Sequence, residues 1–363
     1  MRAVVMRSGR LVLDEIPSPV PGPGEVLVRT LSCGICGSDL HALRHFDRLA
    51  EASRRGNPIA STVDPHRDVV MGHEFCAEVL DYGPGALKTA PVGTRVCALP
   101  VVFRPSGLHT VGYSNELPGG YGEQMVLSEM LLMPVPDHLP TEEATLTEPM
   151  AVGIHAVARA GLVGGESAIV LGCGPVGLAV IAALKLRGVG PIIAADFSPL
   201  RRALAERMGA DKVVDPSTSS PYSSWWEAAA PAGYNPAGIE ALLGIGDQPP
   251  PCVIFECVGV PGMIEQVLEG APRRSTVVVV GVCMERDSFE PIVPLNKEID
   301  VRFVFGYMPE EFAATLGHIA AGRLDVKPLV TGKVGLEGIA RAFEELAHPD
   351  TQVKVIVRYG DRG

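Results

Sequence analysis

The stretch Ile169-Val-Leu-Gly-Cys-Gly-Pro-Val-Gly177 has the pattern of a buried strand, a tight turn and the start of a helix. Its glycines, Gly172, Gly174 and Gly177, have the spacing Gly-x-Gly-x-x-Gly, and the apolar run 178–184 follows them. In such a turn the first glycine permits the bend, the second lets the backbone approach a pyrophosphate, and the third lets helix pack on strand. The N–H groups at the helix N-terminus can then bind phosphate. The stretch therefore predicts a dinucleotide-binding turn.

The next strand along the chain, residues 191–196, ends in an acid. Asp196 lies nineteen residues after Gly177, about where a carboxylate accepts hydrogen bonds from a ribose hydroxyl pair. A carboxylate there repels a 2′-phosphate, so Asp196 favours NAD over NADP. Arg201 and Arg202 lie nearby and argue against this preference for NAD. We interpret them as basic positions on a helix over 199–208.

Further candidates for the cofactor site lie in the turn and at two later strand ends. Pro175 and Val176 stand between the second and third glycines. Val258 and Val282 lie at the ends of two apolar strands, on the side of a parallel sheet where ligands bind. We expect these two valines to line the nicotinamide, although plain turn geometry explains their positions equally well.

Length and composition restrict the class of protein. The chain has 363 residues, enough for two domains or one large one, and 47% of them are apolar, as in a soluble protein with a core. The formal net charge is −11, and without a basic block the chain is a poor nucleic-acid binder. No apolar run is long enough to span a membrane, and the N-terminus has the pattern of a strand rather than a signal peptide. Eight scattered cysteines favour the reducing cytoplasm.

Hydrophobic patterning divides the chain into regions of different type. The first ~100 residues have short strand patterns separated by Gly and Pro turns, which is typical of a β-rich domain. Strand and helix patterns then alternate, which indicates a parallel sheet and the α/β class. Residues 216–251 are longer than a usual connection and predict a partly helical insertion. Two helices, about 309–321 and 336–347, and a strand over 352–359 close the chain.

A second set of chemically active residues lies near the N-terminus, in Cys33-Gly-Ile-Cys-Gly-Ser-Asp-Leu-His41 and Gly72-His-Glu74. Cys36 and His73 are residue types that bind zinc, and a catalytic zinc keeps one position open. Asp39 is placed to orient His73 by accepting its other N–H. The alternative is that these cysteines and histidines are ordinary core or surface residues.

Two neighbouring residues add proton chemistry to this set. Ser38 and His41 carry a hydroxyl and an imidazole, which can pass a proton. A thioredoxin-type redox pair, Cys33 and Cys36, is a third interpretation. It fits poorly, because the strand and helix order of that fold does not follow the motif.

Together these motifs resemble one known family. In order and spacing, the chain is similar to the medium-chain zinc-dependent alcohol and polyol dehydrogenases at Cys36-Gly-Ser-Asp-x-His41, Gly72-His-Glu74, Glu148-Pro149 and Gly172-x-Gly-x-x-Gly177. The resemblance implies a Rossmann doubly wound parallel sheet plus a β-rich, GroES-like catalytic domain. It places the catalytic domain at 1–150 and 307–363 and the dinucleotide-binding domain at 151–306.

The resemblance also implies a zinc site. Cys36 and His73 would be zinc ligands, with Glu74 or Glu148 completing the set. The sorbitol and threonine dehydrogenase branches have glutamates at these positions, whereas alcohol dehydrogenases have a cysteine where Glu148 stands. We therefore expect a polyol, diol or hydroxy-amino-acid substrate. Glu148 could instead act as a general base or by ligand exchange.

One family feature is missing. Many relatives hold a lobe together with four closely spaced cysteines around a structural zinc, but residues 98–130 contain no cysteine and Cys97 stands alone. We expect one catalytic zinc per chain and no structural zinc. The segment 103–120 must then keep its shape by other means.

The activity implied by the resemblance is reversible hydride transfer between a secondary alcohol and NAD, with a proton relay of Ser38, the nicotinamide ribose and His41. Arg201 would touch the cofactor ribose. Relatives form dimers or tetramers, and the apolar strand 301–305 could extend a sheet across a two-fold axis. Two other functions remain open: a zinc-free, NADP-dependent reductase on the same fold, and a nucleotide-binding sensor without turnover.

Overall fold

The computed structural model describes residues 1–56, 63–348 and 350–360. The chain divides into two compact units, one formed by Met1–Pro149 with Met308–Gly363 and the other by Met150–Tyr307. The second unit is thus inserted in the sequence of the first.

Strands predominate in the part of the first unit that precedes the insertion. The elements in chain order are β1 (Arg2–Arg7), β2 (Arg10–Glu15), β3 (Glu25–Gly34), α1 (Gly37–Gly56), β4 (Glu74–Tyr82), β5 (Arg95–Ala98), β6 (Val101–Arg104), β7 (Gly107–Thr110), β8 (Gln124–Ser128), β9 (Leu132–Pro134), α2 (Thr141–Thr145) and α3 (Thr147–Arg159), the last of which continues into the second unit.

Strands and helices alternate in the second unit. They are β10 (Ser167–Leu171), α4 (Pro175–Leu186), β11 (Ile192–Ala195), α5 (Pro199–Met208), β12 (Lys212–Val214), α6 (Pro221–Ala229), α7 (Ile239–Leu243), β13 (Cys252–Glu256), α8 (Met263–Gly270), β14 (Thr276–Val279), α9 (Ile292–Lys297) and β15 (Asp300–Phe303). The chain then returns to the first unit with α10 (Pro309–Ala320), β16 (Val330–Val334), α11 (Ile339–Leu346) and β17 (Lys354–Arg358).

The main sheet of the first unit has the order β16-β17-β3-β4-β5-β9, with β8 also paired to β3. The hairpin of β6 and β7 forms a separate small sheet. β3 and β4 pair antiparallel, so that Gly34 lies opposite Glu74. β17, from the C-terminal end of the chain, pairs with β3 on its other side. The same few residues of β3 are therefore flanked by segments from two distant parts of the sequence.

The sheet of the second unit has the order β12-β11-β10-β13-β14-β15, and all its neighbouring strands are parallel. This order is that of a doubly wound dinucleotide-binding fold, so the predicted parallel sheet is confirmed. The central strands β10 and β13 are buried along their whole length, as expected where helices cover both faces of a sheet.

Local signals set the ends of α5. Ser198 is its N-cap and accepts a hydrogen bond from the Arg201 N–H, while Pro199 is the first helical residue. Gly209 ends the helix with a φ of 114°, a backbone conformation that glycine adopts at little cost. The predicted helix over 199–208 therefore has the bounds that the structure shows.

The insertion between β12 and β13 is partly helical, as predicted. Trp225 on α6 is buried, and its indole N–H donates to Ser167 Oγ at 2.7 Å. Trp226 stacks on Tyr234, with ring centroids 5.5 Å apart. These aromatic residues pack the insertion, and Trp225 joins it to the core of the parallel sheet. No helix in the described ranges has the length and apolarity that a bilayer span needs.

Candidate metal and dinucleotide sites

The pairing of β3 with β4 brings the cysteine and the histidine motifs together. Cys36 follows β3 at the start of α1, while His73 directly precedes β4 and Glu74 begins it. A Cβ atom on Gly34 would overlap the Glu74 carboxylate. Only a glycine therefore lets that carboxylate lie across β3, on the side where Cys36 emerges.

Three metal-binding side chains meet at this point. One ligand atom each from Cys36, His73 and Glu74 lie within 4.8 Å of one another. A thiol, an imidazole and a carboxylate are the donors that zinc uses in proteins. His73 and Glu74 are buried, and Cys36 is half-buried. This donor set fits a zinc ion.

The groups around the His73 imidazole favour positive charge. Its Nδ1 is 3.4 Å from Asp39 Oδ1, but the alignment is too poor for a hydrogen bond and leaves this buried nitrogen without a partner in the described residues. Burial alone would lower the pKa of His73, but Asp39 and Cys36 outweigh it and raise that pKa well above its ordinary value. The orientation of His73 by Asp39 stays a prediction, and the 3.4 Å approach of the two groups is compatible with it.

Asp39 is the centre of a hydrogen-bond network. Its Oδ1 accepts from the Tyr113 hydroxyl at 2.7 Å, and its Oδ2 accepts from the Tyr121 hydroxyl at 2.6 Å and from the Cys36 N–H at 3.2 Å. Burial raises the pKa of Asp39. The charge of His73 and the hydrogen bonds from the two tyrosine hydroxyls lower it by a larger amount, so that the net pKa is lowered. Asp39 is therefore held as a carboxylate beside the candidate metal ligands.

The two glutamates of the predicted zinc site differ in position. Glu74 accepts two hydrogen bonds of 2.7 Å from the ammonium group of Lys354, and both side chains are fully buried. Glu148 lies in the first turn of α3 with 9% of its surface exposed. Glu148 is not a member of the 4.8 Å cluster, although its charge helps raise the pKa of Lys354.

Ser38 and His41 both lie near the start of α1. Ser38 Oγ is 2.9 Å from the Tyr113 hydroxyl. His41 is half-buried, and burial, followed by the nearby charges of His45 and Arg44, lowers its pKa. Its imidazole is therefore neutral at neutral pH and able to accept a proton.

The glycine turn has the shape that a dinucleotide needs. Gly172 has a φ of 87°, and a Cβ on Gly177 would overlap the Gly172 carbonyl oxygen. A Cβ on Gly174 would meet nothing nearer than the Arg201 guanidinium at 3.8 Å. Gly174 is also the N-cap of α4 and Pro175 is the first helical residue, with Val176 next. The turn therefore leaves room for a pyrophosphate at the helix N-terminus.

Asp196 is tied to this turn. Its Oδ2 accepts from the Cys173 N–H and its Oδ1 from the Ser198 N–H, both at 2.8 Å. Arg201 Nη1 is 3.9 Å from Asp196 Oδ2, and the buried Nε of Arg201 has no hydrogen-bond partner in the described part of the chain. Such an orphaned donor fits a ligand that is bound over the turn.

The two valines expected near the nicotinamide lie in neighbouring loops. Val258 and Val282 follow β13 and β14 and are 39% and 42% exposed. A Cβ on Gly259 would lie 2.7 Å from the Val282 nitrogen, which shows how closely the loops approach. The Glu256 carboxylate holds the first loop by accepting from the N–H groups of Val258 and Gly259, at 2.6 and 2.8 Å.

The 103–120 segment keeps its shape through polar contacts. Arg104, at the end of β6, donates to both carboxylate oxygens of Glu25 at 2.8 and 2.9 Å. The buried ring of His109 is hydrogen-bonded through Nε2 to Ser106 Oγ at 2.8 Å and through Nδ1 to Ser114 Oγ at 2.9 Å. These contacts lie in the segment that was expected to keep its shape without a structural zinc.

Sequence reasoning missed four polar residues of these sites, namely the buried Tyr121, Glu256 and Lys354 and the half-buried Tyr113. For two of them, the local sequence pattern could have indicated a special role. Glu256 and Lys354 are charged residues inside apolar strand patterns, which is unusual unless the charge has a partner. The tyrosines carried no signal, because each lies more than 70 positions from Asp39.

Comparison with known proteins identifies the family of this chain. Residues 22–137 match the alcohol dehydrogenase GroES-like domain and residues 175–321 match the zinc-binding dehydrogenase family. The chain is 34% identical over 364 residues to (R,R)-butanediol dehydrogenase of Bacillus subtilis, covering 95% of this chain and 96% of that one. It is 32% identical over 356 residues to sorbitol dehydrogenase of Gallus gallus, with 95% and 92% covered.

A solved structure extends the similarity to the fold. A zinc-binding dehydrogenase of Sinorhizobium meliloti, bound to NADP, is similar with a TM-score of 0.79 and 26% identity over 99% of both chains. The predicted combination of a Rossmann sheet and a GroES-like domain is confirmed. The chain belongs to the medium-chain, zinc-binding alcohol and polyol dehydrogenases, which are oxidoreductases.

Proposed function

We propose that this protein is a zinc- and NAD-dependent dehydrogenase that interconverts a secondary alcohol, of the diol or polyol class, and its ketone. The observation that supports this proposal most directly is the cluster of Cys36, His73 and Glu74, whose ligand atoms lie within 4.8 Å of one another. The names of the butanediol and sorbitol dehydrogenases favour a diol or polyol over a hydroxy-amino acid. The first unit would be the catalytic domain and the second the dinucleotide-binding domain.

Cys36, His73 and Glu74 are the proposed zinc ligands, which leaves a fourth position for water or substrate. Glu148 is proposed to line the site as a second carboxylate. The charges of Glu74, Cys36 and Glu148 all act on the buried Lys354 and raise its pKa, and this concentration of negative groups supports a divalent cation. When bound, zinc would supply Lewis-acid polarisation of the alcohol oxygen and nicotinamide would supply the hydride acceptor.

The chain's own residues would handle the proton. Ser38 is proposed as the first acceptor of the proton that the alcohol releases. His41 is proposed as the group that delivers the proton to solvent, since its lowered pKa keeps the ring neutral and basic. Both are on α1, the helix that starts beside Cys36.

The cofactor is proposed to bind at Gly172, Gly174 and Gly177 through backbone N–H groups, with Pro175 and Val176 beside the phosphates. Asp196 and Arg201 would contact the adenosine ribose, and Val258 and Val282 the nicotinamide. We propose NAD because a 2′-phosphate would meet the Asp196 carboxylate. The similar structure from Sinorhizobium meliloti is bound to NADP, so the preference of this protein for NAD over NADP has to be measured.

One zinc per chain is proposed, since no cysteine occurs in residues 98–130. The ion pair of Arg104 with Glu25 and the buried His109 would replace a structural metal in holding the 103–120 segment.

A homodimer or homotetramer is proposed from the edge of the parallel sheet. β15 is the last strand of the sheet order, and Phe303 and Phe305 are 67% and 89% exposed. An exposed edge with aromatic residues favours pairing with a second copy. The eight cysteines are all free thiols, which supports the cytoplasm as the proposed location.

The test is metal analysis of protein purified without chelator, followed by NADH formation on a panel of diols and polyols. About one zinc per chain and turnover with NAD are expected. NADPH formation from NADP on the same panel, without bound zinc, would identify a zinc-free enzyme on this fold. Bound zinc and nucleotide without any turnover would identify a sensor.

A further inference from the structure

Two arginines stand beside the acid that is proposed to bind the adenosine ribose. Arg201 and Arg202 lie in the first turn of α5, five and six positions after Asp196. An arginine at this place in a dinucleotide-binding fold can bind a 2′-phosphate. Two positive charges against one carboxylate would therefore favour NADP, unless one of the arginines is engaged elsewhere.

Arg202 is engaged at the ends of two neighbouring strands. Its Nη1 donates to the carbonyl oxygens of Asp196 and Phe197, both at 2.8 Å, and lies 3.1 Å from Asp215 Oδ2. β11 and β12 are parallel neighbours, and Asp196 and Asp215 are the residues that directly follow them. The Arg202 guanidinium therefore joins the two strand ends.

Asp215 is itself held in place. Its Oδ1 accepts from the Ser217 N–H at 2.9 Å and from the Ser217 hydroxyl at 2.6 Å, which leaves Oδ2 for Arg202. The two hydrogen bonds from Ser217, followed by the charge of Arg202, lower the pKa of Asp215. Asp215 is therefore a carboxylate at neutral pH, and its charge balances that of Arg202.

Arg201 is placed differently, because one position along an α-helix turns the side chain by about 100°. Arg201 Nη1 lies 3.9 Å from Asp196 Oδ2, and a Cβ on Gly174 would lie 3.8 Å from the same nitrogen. The buried Nε of Arg201 has no hydrogen-bond partner among the described residues. Arg201 thus faces the glycine turn, whereas Arg202 faces the end of β12.

We infer that Asp215 is a cofactor-specificity residue, which holds Arg202 on the strand ends and so withholds this guanidinium from a 2′-phosphate. This inference rests on the proposed dehydrogenase function, in which Asp196 and Arg201 contact the adenosine ribose. A 2′-phosphate would meet Asp196 with only Arg201 as countercharge. Arg202 would have to break an ion pair and two hydrogen bonds before it could bind the phosphate. Asp215 therefore adds to the discrimination against NADP that Asp196 provides.

The test measures dissociation constants of NADH and NADPH by fluorescence titration, on wild-type protein and on Asp215→Asn. The amide keeps an oxygen for the hydrogen bonds from Ser217 and removes the charge that faces Arg202. We expect Asp215→Asn to bind NADPH about fivefold more tightly, as for one added hydrogen bond to a charged group, and NADH within about twofold of wild type. A folded Asp215→Asn protein whose affinity for NADPH rises by less than about twofold would overturn the role of Asp215.

Two controls separate an effect through Arg202 from a general loss of negative charge. Glu206→Gln removes the same charge from an exposed position one turn further along α5, and it should leave both dissociation constants within about twofold of wild type. In an Arg202→Gln background, Asp215→Asn should give no gain in affinity for NADPH. A gain that persists in that background, or the same gain in Glu206→Gln, would overturn the inference.

Failure of the proposed function has a different result. Wild-type protein that binds neither nucleotide would overturn the dehydrogenase assignment itself. A wild-type preference for NADPH over NADH would overturn the proposed NAD dependence, and the comparison of Asp215→Asn with wild type would still decide the role of Asp215.

Discussion

Lys354 donates to both carboxylate oxygens of Glu74, each at 2.7 Å, in a place where neither side chain reaches solvent. The lysine also donates to the Ile35 carbonyl oxygen at 3.0 Å. Burial lowers the pKa of Lys354, but Glu74 and Cys36 outweigh burial and raise it. The C-terminal strand thus supplies the countercharge for a proposed zinc ligand.

Lys354→Met should destabilise the metal-free protein by about 3–5 kcal/mol, because it leaves the Glu74 carboxylate buried without its partner. Urea denaturation measures the free energy of unfolding. Lys333→Met is the control, since the Lys333–Glu142 pair is partly exposed and should contribute less than about 1 kcal/mol. Adding Glu74→Gln to Lys354→Met should recover part of the loss. Equal effects of the two lysine variants would contradict this account.

Asp196→Ala should lower the affinity for NAD about tenfold and leave the affinity for NADP within about threefold. The reason is that the carboxylate would accept from the ribose hydroxyls of NAD and repel a 2′-phosphate. Fluorescence titration with each reduced cofactor measures both constants. Asp196 also holds the Cys173 and Ser198 N–H groups. A parallel loss of both affinities would therefore show that it only shapes the turn.

Glu256→Ala should weaken NAD binding about tenfold without changing the zinc content, because a part-buried and a buried N–H group of the loop after β13 lose their acceptor. Glu256→Gln keeps one acceptor oxygen and should have a smaller effect. Calorimetry with NAD and metal analysis of the same samples separate the two properties. Unchanged NAD affinity in the alanine variant would remove Glu256 from the cofactor site.

The Glu25–Arg104 pair should make the stability of the 103–120 segment depend on acid pH. Burial raises the pKa of Glu25, but Arg104 and the Gly22 N–H outweigh it, and the net pKa is lowered. The ionised form is thus favoured in the folded state. Its stabilisation is complete above the unfolded pKa of about 4.5 and is lost as pH falls through the lower folded value.

The experiment for this pair follows unfolding by urea between about pH 6 and about pH 3. Arg104→Met should reduce the loss of stability on acidification, because Glu25 then titrates nearer its ordinary value. Arg29→Met is the control, since the Arg29–Glu78 pair is more exposed. The same acid dependence in wild type and Arg104→Met would show that the pair does not hold the segment.

Local sequence determined much of the second unit. The bounds of α5 follow from Ser198, Pro199 and Gly209, and the turn from Gly172 to Gly177 follows from steric limits on neighbouring residues. These features depend on contacts within a few positions along the chain, and residue type alone limits such contacts. Cys36, His73 and Glu74 could likewise be identified from the sequence as candidate metal ligands, because the ability to bind a metal depends on the residue type.

Only the tertiary structure decided how those donors are held and charged. Lys354 reaches Glu74 across 280 positions of sequence, and Tyr113 reaches Asp39 across 74. The first contact arises from the pairing of β17 and β4 on either side of β3, and the second joins α1 to the segment after β7. No local pattern encodes a partner so far away. The contact of Ser38 with Tyr113 and the ion pair of Glu74 with Lys354 are properties of the assembled site, since each depends on groups that folding alone brings within reach.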